Sequence, residues 1–155
     1  MSLEEAAARA LRGSERVTYH NNSPDALTYL WLQVEPNYFA PESHAVATTL
    51  APNLDAGMTF EATRALMERK TFDGGAKITN LKGASGDALD FALVDTTMRI
   101  DLPAPLQSGE AFEFSLDWTY AINDQRKFGG RSGYEFFEDD GNYLYEIAHW
   151  FPRLC

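Results

Sequence analysis

Cysteine is nearly absent. The one thiol, Cys155, is the final residue, so the chain can form no internal disulfide and its redox compartment is not encoded. Basic residues are also scarce, with 13 Lys and Arg against 23 Asp and Glu and a net charge of −10. That balance excludes the cationic footprint that nucleic acid requires and the polybasic patch that draws a protein to an anionic bilayer. No apolar run approaches the roughly 18 residues of a membrane span. The first thirteen residues are polar and mildly helical rather than a signal peptide. There are three histidines, His20, His44 and His149, and no two lie three or four residues apart. The helical zinc motif H-E-x-x-H is therefore missing, as are G-x-S-x-G, a phosphate loop and a dinucleotide fingerprint. These gaps leave a chain without a recognisable active site of its own.

What is present is aromatic: ten Phe, seven Tyr and three Trp in 155 residues. Aromatic richness favours strands over helices. Ala111 to Ile122 is the clearest segment, with Phe112, Phe114, Leu116, Trp118 and Tyr120 on one parity and Glu113, Ser115, Asp117 and Thr119 on the other. A period of two over ten residues predicts a half-buried strand in an antiparallel sheet. Glu15 to His20 and Leu27 to Val34 flank an Asn21-Asn22-Ser23-Pro24-Asp25 turn. Ala76 to Leu81, Ala88 to Val94, Thr97 to Leu102 and Tyr143 to Phe151 read as further strands, with Pro103 and Pro105 expected to break the third of these. Thr59 to Lys70 is the one helix candidate, with Thr59 as its cap and a thin apolar face of Phe60, Thr63, Leu66 and Met67. Residues 42–57 and 123–142 read as loops. The pattern predicts a single, mainly β, soluble domain over 1–155: an antiparallel β-sandwich or a saddle-like curved sheet with at most one short helix.

Three further features could carry chemistry, and each has a simpler reading. Glu135, Glu138, Asp139 and Asp140 could bind calcium but lack EF-hand spacing, so a solvated turn closing on Gly141 is expected. Phe128 to Gly133 is glycine-rich without a lysine and reads as a hairpin loop. Trp31, Trp118 and Trp150 could stack on a sugar, although the neighbours of Trp31 and Trp118 favour core packing.

The stretch Val17 to Leu32 (VTYHNNSPDALTYLWL) resembles the N-terminal domain of bacterial aminopeptidase N-like zinc metallopeptidases, the gluzincin aminopeptidases. Pro103-Ala104-Pro105-Leu106, Gly109 and the strand after it look like a second passage of that domain. Tyr145 to Cys155 (YEIAHWFPRLC) resembles the segment leading into the catalytic domain, except that Arg153-Leu154 separate Pro152 from Cys155. The resemblance implies a non-catalytic domain that forms part of the substrate cleft and docks on the catalytic domain of the same parent chain, whether that parent is periplasmic or cytoplasmic. No metal ligand or catalytic residue carries over, so the chain should be inactive alone, and zinc is expected only in the parent's catalytic domain. The family's aromatic-acid pair matches Tyr145-Glu146, which implies that Glu146 binds the α-amine of a peptide substrate; Glu146 could equally be the outward residue of a terminal strand. His149 and Arg153 are weaker candidates.

The apolar density of residues 143–155 also suggests a docking surface or a continuation beyond Cys155, with weak self-association through that surface. The alternative is a standalone β-sandwich binding module for a glycan or protein partner.

Overall fold

The structure is a computed structural model, and it describes residues 2–4 (backbone only), 9–49 and 57–155. Its strands are β1 (Ser2–Glu4), β2 (Ala10–His20), β3 (Leu27–Gln33), β4 (Lys77–Gly83) and β5 (Phe91–Val94). They continue as β6 (Thr97–Leu106), β7 (Ala111–Ala121), β8 (Ser132–Phe137), β9 (Asn142–Ile147) and β10 (Arg153–Leu154). Two four-stranded antiparallel sheets result, ordered β1-β2-β7-β4 and β10-β3-β6-β5, with β8 and β9 as a separate hairpin. The predicted sandwich is therefore present, joined by short helices.

The alternation of β7 builds the core. Phe114, Leu116, Trp118 and Tyr120 are buried and meet Leu30 and Leu32 of β3 and Met98 and Ile100 of β6 in one cluster. β2 runs beside β7 in full register from Ala10↔Ala121 to His20↔Ala111, so its odd-numbered residues share the inward face. Gly13 lies opposite Trp118, and a Cβ there would overlap the indole. Glycine in mid-strand is thus the room the tryptophan needs.

The turn after β2 is fixed by Asn21, which is fully buried. Its Nδ2 donates to the carbonyls of Leu106 and Asp25 at 3.0 and 2.8 Å, and its Oδ1 accepts from the backbone and hydroxyl of Ser23. The predicted helix is α2 (Phe60–Thr71), with the Thr59 hydroxyl accepting from Ala62 N. It buries no residue, because its apolar stripe is as thin as the sequence shows. Two single-turn helices, α1 (His44–Ala47) and α3 (Gln125–Phe128), and a 3-10 helix, Glu35–Phe39, complete the described elements. No described helix is long and apolar enough to cross a membrane.

Several local expectations change. Residues 2–4 and 10–13 are strand rather than mildly helical, since β1 pairs with β2 and β2 pairs with β7 along its whole length. Pro103 and Pro105 do not end β6, which runs to Leu106: the register with β3 jumps between Tyr29↔Asp101 and Leu27↔Leu106, and this bulge accommodates residues without an N–H. The 42–57 loop contains α1, while residues 50–56 lie outside the described residues. Part of the 123–142 loop is β8, whose Tyr134 and Phe136 pair with β9. The strand expected to run to Phe151 stops at Ile147 and turns.

One inward residue breaks the apolar pattern. Glu15 lies opposite Leu116, and its Oε1 is buried without a hydrogen-bond partner. Burial pushes its carboxyl up from 4.5 to about 7. A raised acid favours the protonated form in the fold, so its contribution to stability is complete below pH 4.5 and lost as pH rises through about 7. Glu15→Gln is expected to flatten that decline, read as the urea midpoint between pH 4 and 8. An unchanged pH profile would show that Glu15 is solvated.

Candidate functional site

The resemblance directs attention to the β8–β9 hairpin and the turn after it. Period-two alternation puts Tyr134 and Phe136 of β8 on one face with Tyr143 and Tyr145 of β9. Their rings form a contiguous cluster, with centroids 4.6 Å apart for Phe136–Tyr143 and 6.1–6.3 Å for Tyr134–Tyr143, Tyr143–Tyr145 and Tyr134–Tyr145. Arg9, just before β2, clasps this cluster. Its guanidinium lies 4.3 Å from the Tyr134 ring centroid and 5.1 Å from that of Tyr143, and it donates to both hydroxyls at 2.9 and 3.0 Å. Burial pushes the Tyr134 hydroxyl up, and the hydrogen bond to Tyr143 raises Arg9, so the guanidinium stays charged.

Tyr145 and Glu146, adjacent in β9, point to opposite faces. Tyr145 is half-buried and packs against the sandwich core, whereas Glu146 is exposed. Glu146 lies opposite Gly133, which has φ +147 and no room for a side chain: a Cβ would come within 2.8 Å of the Asn123 carbonyl oxygen. Asn123 is buried and binds β8 from both ends, through Nδ2 to Ser132 O at 2.8 Å and from Tyr134 N to its own carbonyl at 2.9 Å. The backbone beneath Glu146 is therefore rigidly held while its carboxylate faces outward.

After β9 the chain turns sharply at His149, in the left-handed region at φ +52, and returns as β10 beside β3. Arg153 then reaches Gln33, donating to its Oε1 at 2.6 and 3.2 Å, and Gln33 Nε2 donates to Glu35 Oε1 at 2.7 Å. A cavity of about 310 Å³ opens beside this relay. Three stretches of the chain line it: Glu35, Pro36, Tyr38 and Phe39, then Gly130, Arg131 and Ser132, then Ala148 and His149. His149 and Arg153 thus belong to the same corner, although only His149 lines the cavity.

The remaining candidates disperse. His20 is exposed at the end of β2, and the backbone N–H of His44 bonds Asp95 at the start of α1. Among the described residues no three His, Cys, Asp or Glu gather as metal ligands. Glu138, Asp139 and Asp140 are exposed around a turn, and Glu135 pairs with Arg126 at 3.0 Å. Trp118 is core, and Trp150 packs 6.0 Å from it. Trp31 is not core: it is 42% exposed, on the outer face of its sheet, because the inward parity of β3 belongs to Leu30 and Leu32.

Sequence reasoning passed over Glu35, Arg131 and Arg9. Glu35 and Arg131 meet only through the fold, and Arg9 sits in an alanine-rich stretch with no periodic signal. No match to the chain is found among protein-family models, curated proteins or solved structures.

Proposed function

We propose that this chain is the non-catalytic N-terminal part of a bacterial aminopeptidase N-like zinc metallopeptidase, where it forms one wall of the substrate cleft and docks on the catalytic domain. The observation that carries the reading is the meeting of two of the resembling stretches. β10, from Tyr145–Cys155, pairs with β3, most of which lies in Val17–Leu32, through Leu154↔Leu32 and, one residue past that stretch, Arg153↔Gln33. Two segments far apart in the chain, one similar to that N-terminal domain and the other to the segment that leads from it into the catalytic domain, lie in one sheet beside the turn that follows Glu146. In this reading zinc and the bond-breaking groups belong to the catalytic domain, and this chain contributes binding alone.

Glu146 then has a definite role. An exposed carboxylate gains little from an ammonium in water. If the catalytic domain covers the hairpin, the same contact becomes a charge-assisted hydrogen bond of about 1.5–3 kcal/mol, enough to favour substrates with a free N-terminus. In the intact enzyme, Glu146→Ala is expected to raise KM for aminoacyl substrates roughly tenfold while changing kcat little, the signature of lost uniform binding. Unchanged KM would remove Glu146 from the site.

A second reading, a standalone binding module, draws on the outer face of the β10-β3-β6-β5 sheet. Tyr29 and Trp31 are exposed there with centroids 5.9 Å apart, and Arg99 lies over Tyr29 while pairing with Asp101. The two rings stand at 75°, and a guanidinium covers one of them, so this pair forms no flat sugar platform. That face fits a protein partner better than a glycan.

A further inference from the structure

We propose that the cavity between Glu35 and Arg131 binds a small zwitterion, a free α-amino acid or short peptide with an apolar side chain. The inference rests on the cavity alone and holds whether or not the chain belongs to a peptidase. At about 310 Å³ the space suits one large amino acid rather than a drug-sized ligand or a folded segment.

Its lining has the three elements such a ligand needs. Glu35 offers an anion whose orientation is fixed from behind, since Gln33 engages only Oε1 at 2.7 Å and is itself anchored by Arg153 at 2.6 Å. A carboxylate held in this way binds an ammonium without first losing rotamer freedom. Arg131, which lines the same cavity, is exposed and makes no ion pair among the described residues, which leaves its planar fork available to a carboxylate. Tyr38 and Phe39 stand edge to face at 5.2 Å and supply an aromatic surface for the side chain. A ligand with only one charge would leave either Glu35 or Arg131 facing it without compensation. The left-handed backbone of His149, uncommon for a residue other than glycine, shapes the third side, and such positions concentrate at binding sites.

The test is calorimetric titration of the whole chain with L-phenylalanine, phenethylamine and 3-phenylpropionate, which keep both charges, the cation alone and the anion alone. L-Phenylalanine is expected to bind at least about tenfold more tightly than either analogue, the difference one charge-assisted contact makes. Glu35→Gln and Arg131→Gln should each weaken it by about tenfold or more at unchanged melting temperature. Arg131 lies on an exposed loop, so its variant decides the matter if Glu35→Gln disturbs the Gln33 relay. Equal affinity for all three compounds would overturn the zwitterion assignment. No heat from L-phenylalanine at about 10 mM would overturn the site itself, since even a millimolar Kd would saturate there.

Discussion

Trp118→Ala is expected to lower the unfolding free energy by about 3–5 kcal/mol, the range for deleting a large buried aromatic. Trp118 is 3% exposed, faces Gly13 on one side and Ile78 on the other, and packs on Trp150 from the chain's last turn. Its removal empties the middle of one sheet and unseats the corner that carries His149 and β10. Gly13 supplies an internal control. Alone, Gly13→Ala should cost about 1–3 kcal/mol, because the new Cβ overlaps the indole. Combined with Trp118→Ala it should cost little more than Trp118→Ala alone, and urea titrations of the four proteins would measure that coupling. Additive costs would mean that the indole does not lie over Gly13.

Asn21→Ala is expected to cost about 1–3 kcal/mol, although it removes only a small polar group. The amide gives two hydrogen bonds to carbonyls and accepts two from Ser23, and the Leu106 contact lies wholly in the interior. Without it the Leu106 carbonyl loses a partner in the interior and that loss costs its desolvation, whereas the exposed Asp25 carbonyl keeps the Ser23 hydroxyl at 3.0 Å. Asn21→Asp should be at least as destabilising at neutral pH. It keeps the acceptor for Ser23 but turns a carboxylate toward the two carbonyl oxygens. Near-native urea midpoints for both variants would show that the turn is not held by this side chain.

How far these features can be read from the sequence depends on whether the signal is local. The inward face of β7 follows from parity alone, and the α2 start follows from the cap at Thr59. Leu27 to Val34 is apolar on both parities, so its sequence does not reveal that Trp31 faces out while Leu30 and Leu32 face in. The prolines of β6 read as a strand end until the bulge against β3 is known. β8 is hidden because glycines precede it and only two aromatic positions show its parity. The site follows the same rule. Tyr145 and Glu146 are adjacent in the sequence, and their opposite directions come only from the hairpin register. Glu35 and Arg131 are nearly a hundred positions apart, and only the packing of the 3-10 helix against the loop before β8 makes them walls of one cavity.

The central claim, that this sandwich serves a zinc aminopeptidase whose chemistry lies in another domain, is tested most directly on the polypeptide made from the intact gene. The account predicts that it continues past Cys155 into a paired-histidine H-E-x-x-H helix, holds zinc, and releases N-terminal residues from aminoacyl-anilides in a chelator-sensitive manner. Residues 1–155 alone should release none, even with added zinc. A native polypeptide without that helix, or chelator-sensitive hydrolysis by residues 1–155 alone, would contradict it.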